Sequence, residues 1–283
     1  MALSGKALAI AAGVAAAVIW SSWYVLARHG VTAGALTPED LAALRFLVAA
    51  PLALVLLRKV PVTRANLRYT LPMALGVGPA FGITVGYGFT LAPANFGGAM
   101  TAVTGVILSL LGAVLIFRER LRPSQWLGIA ATILGLSLLV MVSESSAGLG
   151  FFLLGGALWA LYGLTARASG LKAMEAAGAV ALLSALIFLP PYFLHAGGAL
   201  FKASAAELLL QGIGQGVLTG TVALALHARA VVGLGAAKGA LFQSLVPPFT
   251  LVLSFLFLGE VPSGPEITVI LLVLCGVALA LRR

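Results

Sequence analysis

The chain has 283 residues, of which 61% are apolar and only 9% charged, with a mean hydropathy of +1.12. A water-soluble domain carries about 25% charged residues, so this composition excludes one and points to an integral membrane protein. The formal net charge of +9 does not argue for nucleic acid, because Lys and Arg fall at helix ends rather than in one patch, where anionic lipid is the simpler partner.

Hydropathy, Gly/Pro punctuation and charge predict ten membrane helices. The first five cover residues 5–28, 38–57, 68–91, 94–116 and 123–143, and the second five cover 148–168, 174–195, 206–231, 235–258 and 264–281. Several apolar runs reach about 20 residues, the length a helix needs to cross ~30 Å of hydrocarbon. The first run, after Lys6, resembles a signal peptide but exceeds an ordinary h-region, so it is expected to stay as the first membrane helix. The single Cys275 lies in the last apolar run and excludes an intrachain disulfide.

The chain repeats itself. LIFRERLRPSQWLGIAATILG (Leu115 to Gly135) returns as LFLGEVPSGPEITVILLVLCG (Leu256 to Gly276), an offset of 141 that aligns Glu119 with Glu260. At an offset of 139, Trp20 aligns with Trp159, Arg28 with Arg167 and Pro51 with Pro190. Two units, 1–143 and 144–283, are therefore expected. With the N-terminus inside, all but three of the 17 Lys and Arg (Arg28, Lys202 and Arg45) fall at cytoplasmic helix ends. Each unit holds five helices, an odd number, so the second enters the membrane from the opposite side. The expected fold is an all-α integral membrane protein of ten transmembrane helices in two inverted five-helix repeats, with both termini cytoplasmic. Gly78, Gly82 and Gly86, and again Gly212, Gly216 and Gly220, make smooth stripes for close helix packing.

The sequence resembles the drug/metabolite transporter superfamily, and within it the EamA-type family. The likeness rests on TPEDLAALRFLVAAPLALVLL, on LIFRERLRPSQWLGIAATILGLSLLV and on LVLSFLFLGEVP. Within that family it is similar to bacterial aromatic amino-acid exporters. The resemblance implies a substrate passage between the two halves at mid-membrane.

Catalytic motifs such as HExxH, GxSxG and Walker A are missing from the sequence, so an enzyme is not expected. Trp20 and Trp23 pair at i, i+3 in the first helix, as do Trp159 and Tyr162 in the sixth, and each pair shares one helix face near mid-membrane. Packing explains such pairs as readily as an aromatic wall around a planar substrate. Pro247 and Pro248 withdraw backbone donors from the carbonyls of Gln243 and Ser244, leaving them for a kink or for a substrate contact. Arg45 lies within a span, where snorkelling competes with a role as carboxylate or phosphate partner. Lys238 is ambiguous in the same way. The expected substrate-binding set is Trp20, Trp23, Tyr87, Trp159, Tyr162, Gln243, Ser244, Pro247, Arg45 and Lys238.

None of the eight Asp and Glu is placed well inside a span, which removes the usual proton or cation site of coupled exporters. The leading expectation is export of small metabolites, chiefly amino acids with aromatic or other apolar side chains, by alternating access. The partners expected are a small-molecule substrate and the lipid bilayer of a bacterial inner membrane, with no nucleic acid, metal or cofactor, and no oligomer is required. A carrier of sugar phosphates or nucleotide sugars is the nearest rival, and a non-transporting scaffold the next.

Overall fold

A computed structural model of the chain describes residues 5–34, 36–56, 64–142, 146–195, 200–234 and 242–280, and every regular element among these residues is helical. The helices are α1 (Gly5–Thr32), α2 (Pro38–Leu56), α3 (Arg64–Val77), α4 (Pro79–Leu91), α5 (Ala94–Phe117), α6 (Pro123–Val142), α7 (Ser146–Ser169) and α8 (Ala173–His195). They are followed by α9 (Ala205–Gln211), a π-helical stretch (Gly212–Val222), α10 (Ala223–Leu234), a 3-10 turn (Phe242–Leu245), α11 (Val246–Leu258) and α12 (Gly264–Ala280). Six helical segments are long and apolar enough to cross a membrane, α3–α4 and α9–α10 each counting as one, and shorter apolar helices accompany them.

The helix expected at 68–91 breaks at Gly78 between α3 and α4, and two further departures shape the interior. The span expected at 206–231 contains an eleven-residue π stretch, closed by the Ala223 amide donating to the Leu218 carbonyl five residues back. Extended π turns are rare and tend to occur at functional sites. In the stretch expected at 235–258, α11 starts only at Val246, with Pro247 in its first turn. Pro in a first turn withdraws a donor that the helix would not use, so no mid-helix kink forms there.

The repeat is visible in how helices end. Arg118 and Gly259, equivalent positions, both take left-handed conformations (φ 54° and 66°) that stop α5 and α11. The next amide then bonds back six residues, Glu119 to Ala113 at 3.2 Å and Glu260 to Ser254 at 3.3 Å. This shared cap places both glutamates just past the ends of their helices. Glycine adopts that conformation freely, whereas at Arg118 a side chain must tolerate it.

Packing between the halves maps onto itself when they are exchanged. The helices α2 and α8, α5 and α11, and α6 and α12 each pack against their own counterpart. Gly135 of α6 meets Val273 of α12, while its equivalent Gly276 meets Thr132, the equivalent of Val273. Such reciprocal contacts define a two-fold relation. The glycine stripes close on α2: Gly82 and Gly86 lie against Ala42 and Pro38, and Gly212 and Gly216 against Val48. Closely approaching helices of this kind are the rule where lipid supplies no hydrophobic drive to associate.

Candidate functional site

A cavity of about 1000 Å³, counted to its open mouth, lies between the halves. Its wall is drawn from α1 (Trp20, Trp23, Tyr24), α2 (Arg45, Phe46), α4 (Phe81) and α5 (Thr101) on one side. The other side supplies α7 (Trp159, Tyr162), α8 (Val180), the π stretch (Thr219), α10 (Leu224) and the turn before α11 (Gln243). Among the described α-helices only α6, α9 and α12 give it no lining residue, and α6 and α12 instead pack on each other.

The aromatic residues form one connected box. The equivalent residues Trp20 and Trp159 meet edge to face at 6.4 Å, as expected of side chains near a two-fold axis. Trp23 stacks on Phe81 at 5.4 Å, Phe81 lies 5.9 Å from Trp159, and Trp159 lies 5.8 Å from Tyr162. Behind the wall, the His227 ring packs on Trp20 at 5.1 Å, and its Nδ1 is buried with no hydrogen-bond partner. The Trp23 indole donates to Gln215 at 3.0 Å, which fixes that ring across the boundary between the halves.

The structure brings together six of the residues singled out from the sequence: Trp20, Trp23, Trp159, Tyr162, Arg45 and Gln243. Tyr87 is a correction. The residue is 41% exposed and its hydroxyl donates to Glu39 at 2.7 Å, away from the cavity. The inner face of α4 runs through Phe81, Val85 and Phe89, and a residue two positions off that line faces outward. Ser244 and Pro247 also lie off the cavity wall, which takes Gln243 and Val246 from this segment instead. Lys238 lies outside the described residues. Sequence reasoning passed over Tyr24, Phe81, Thr101 and Thr219. Tyr24 was readable, being one turn beyond Trp20 on the same face, whereas Thr219 depends on the π register.

Two ion pairs flank the cavity at equivalent positions. Arg28 pairs with Glu260 at 3.1 Å, and Arg167 pairs with Glu119. Each joins the Arg of one unit to the Glu of the other. Glu260 also accepts the Ala94 amide at 2.8 Å at the start of α5, and Glu119 follows the end of that same helix. The 24 residues of α5 therefore separate them by roughly 36 Å. The first pair is the better enclosed, with side chains 22% and 14% exposed against 51% and 45%, and Arg28 also donates to the Phe89 carbonyl. The Arg167 guanidinium lies 4.1 Å over the Phe117 ring.

The EamA-like transporter family model matches residues 7–141 and again residues 146–282. The chain belongs to this family. As an EamA-like protein it is a multi-pass membrane protein, in keeping with its six long apolar helices. It is 29% identical over 180 residues to the threonine/homoserine exporter RhtA of Salmonella typhimurium, spanning 60% of this chain and 60% of that exporter. It is 33% identical over 194 residues to an uncharacterized protein of Pseudomonas aeruginosa, covering 65% and 64% of the two chains. A solved crystal structure shares the fold, with a TM-score of 0.64 over 96% of both chains at 19% identity.

Proposed function

We propose that this EamA-like protein exports small metabolites, namely amino acids with aromatic or other apolar side chains, across a bacterial cytoplasmic membrane. Transport is alternating access: the two halves rock about the central cavity. The observation that carries this reading is the cavity itself, lined in equal measure by both halves and walled by the aromatic box. Reciprocal packing of the halves supports it, because a two-fold pair can adopt two symmetry-related states of similar energy. An ion pair beyond each end of the cavity fits a gate that opens at one end while the other holds. Ten spans, both termini cytoplasmic and an in-plane two-fold axis complete the proposal, and a relative that exports threonine and homoserine agrees with amino acids as cargo.

The experiment is uptake of a panel of labelled amino acids into liposomes holding the purified full chain. Saturable uptake of Phe, Trp or Leu, competed by one another, is the expected result. A panel that stays outside at the rate of protein-free liposomes sinks the proposal. Arg45 gives a second reading, an anionic cargo such as a sugar phosphate, some substance. A doubly charged phosphate calls for more than one cation, and Arg45 is the sole Lys or Arg on the wall among the described residues.

A further inference from the structure

The wall of the cavity is apolar apart from a few groups, and one of them is a full charge. Arg45 lies seven residues into α2, about 10 Å from its start, too deep for a side chain whose only task is to reach the surface. Its neighbours are the Phe46 ring, 5.8 Å from the guanidinium carbon, and Tyr162 across the cavity. Among the described residues no carboxylate lies within 4.0 Å of it. The described acids are engaged elsewhere: Glu260 with Arg28, Glu119 with Arg167, Glu207 with His29, and Asp40 with Thr37 and Tyr192. Glu39 accepts from Tyr87, and Glu175 and Glu266 cap the starts of α8 and α12.

An unpaired charge within a membrane span is expensive, and the fold itself does not call for this one. At the equivalent place in the second unit, offset by 139, stands Ser184, buried and neutral. The charge is therefore an addition to one half of a repeated architecture. A guanidinium presents a planar fork of donors that matches a carboxylate in two parallel hydrogen bonds. In the same cavity Trp20, Trp23 and Trp159 offer apolar faces, and no Asp or Glu lines it among the described residues.

We propose that Arg45 anchors the carboxylate of the cargo while its apolar body fills the aromatic box, so that the substrate class is defined by an acid group and not by an amino group. The proposal rests on the cavity being the transport site. An ammonium group is accommodated on a ring face or on the side-chain oxygen of Gln243, but nothing there demands one. Amino acids thus qualify as carboxylates, and deaminated acids of the same shape qualify equally.

The test is direct binding to the purified full chain, by calorimetry, of four compounds sharing one aromatic body: phenylalanine, 3-phenylpropionate, phenylalaninamide and phenethylamine. Both acids are expected to bind at least tenfold more tightly than the amide and the amine. Arg45→Gln should weaken the acids at least tenfold and leave the amine unchanged, closing the gap. Arg45→Lys, which keeps the charge and loses the fork, should fall between and serves if the Gln variant does not fold. Trp159→Ala should weaken acids and amine together. Equal binding of acid and amine by the unaltered protein overturns the proposal, as does an acid preference that survives both Arg45 variants. If 3-phenylpropionate binds through Arg45 but no amino acid is carried, the amino-acid reading fails and the anchor stands. If amino acids are carried with no preference for the acid, the anchor fails and the exporter reading stands. Failure of all four compounds to bind overturns both.

Discussion

Trp23 on the cavity wall donates its indole N–H to Gln215 at 3.0 Å, and this bond is the first rung of a ladder that leaves the cavity. Gln215 donates to Gln211 at 2.9 Å, Gln211 donates to Glu207 at 2.9 Å and to the Leu26 carbonyl at 2.8 Å, and Glu207 meets His29 at 3.4 Å. The rungs are four residues apart, on one face of α9 and the π stretch, and they tie that face to α1. Gln215→Leu would leave the Trp23 N–H buried and unpaired, a loss of about 1–3 kcal/mol. The detergent-solubilised variant is expected to melt at a lower temperature and to bind aromatic cargo more weakly. An unchanged melting curve would show that the ladder is dispensable.

Trp159 touches three neighbouring rings in the box, so Trp159→Ala should penalise large cargo more than small. Each lost aromatic contact is worth ~0.5–1.5 kcal/mol beyond area, or roughly two- to twelvefold in affinity. Transport of Phe and Ala by the variant in liposomes, compared as a ratio, reads the effect. Equal loss for both would place the ring outside the contact surface.

The positions of Glu119 and Glu260 at opposite ends of α5 make a topological claim. Single cysteines placed there, in a chain with Cys275 replaced, should react with an impermeant reagent from opposite sides of sealed cells. Reaction of both from one side would falsify the inverted arrangement.

Gly216 is where the π stretch closes on α2. A Cβ there would meet the Val48 side chain at 2.5 Å and the Arg45 carbonyl at 3.2 Å. Gly216→Val should therefore push apart the two segments that carry Thr219 and Arg45. Overpacking of this kind is worth about 1–3 kcal/mol, and the variant should show reduced folded yield and weakened acid binding. Gly5→Val, with open space around it, is the matched control.

Proton coupling can be tested in the same liposomes. No Asp or Glu lines the cavity among the described residues, and a zwitterion adds no net charge. Initial uptake into proteoliposomes should be unchanged when an ionophore collapses the proton gradient. Uphill accumulation on an imposed pH step, abolished in His227→Ala, would reverse this and make the histidine behind Trp20 a relay.

The helical plan was legible because lipid imposes it: apolar runs, Pro and Gly punctuation and the 139- to 141-residue offsets all report the same periodic architecture. Trp20, Trp23, Trp159 and Tyr162 were legible because the same i, i+3 spacing recurs at an offset of 139, and Trp20 and Trp159 do meet in the structure. Tyr87 was misplaced because composition marks a residue as aromatic without saying which face of α4 it takes. The π stretch left no trace in hydropathy, which does not distinguish i+4 from i+5 hydrogen bonding. The ion pairs escaped for another reason. Arg28 and Glu260 are 232 positions apart, and only folding shows that each unit's arginine reaches the other unit's glutamate.

The two end pairs are chemically alike but unequally fastened, one half-buried and reinforced by backbone partners, the other largely in the open. The two orientations of such a carrier differ in free energy, and a site facing the less populated side binds with an affinity diluted by that population. Microscopic reversibility then limits what the imbalance can achieve. In a carrier without a coupled ion it makes half-saturation differ between the two membrane faces, while the concentrations still settle at equality. On the proposed uncoupled mechanism, direction would become a property of supply: the protein would be a passive valve, with cargo leaving only because metabolism keeps one side fuller than the other.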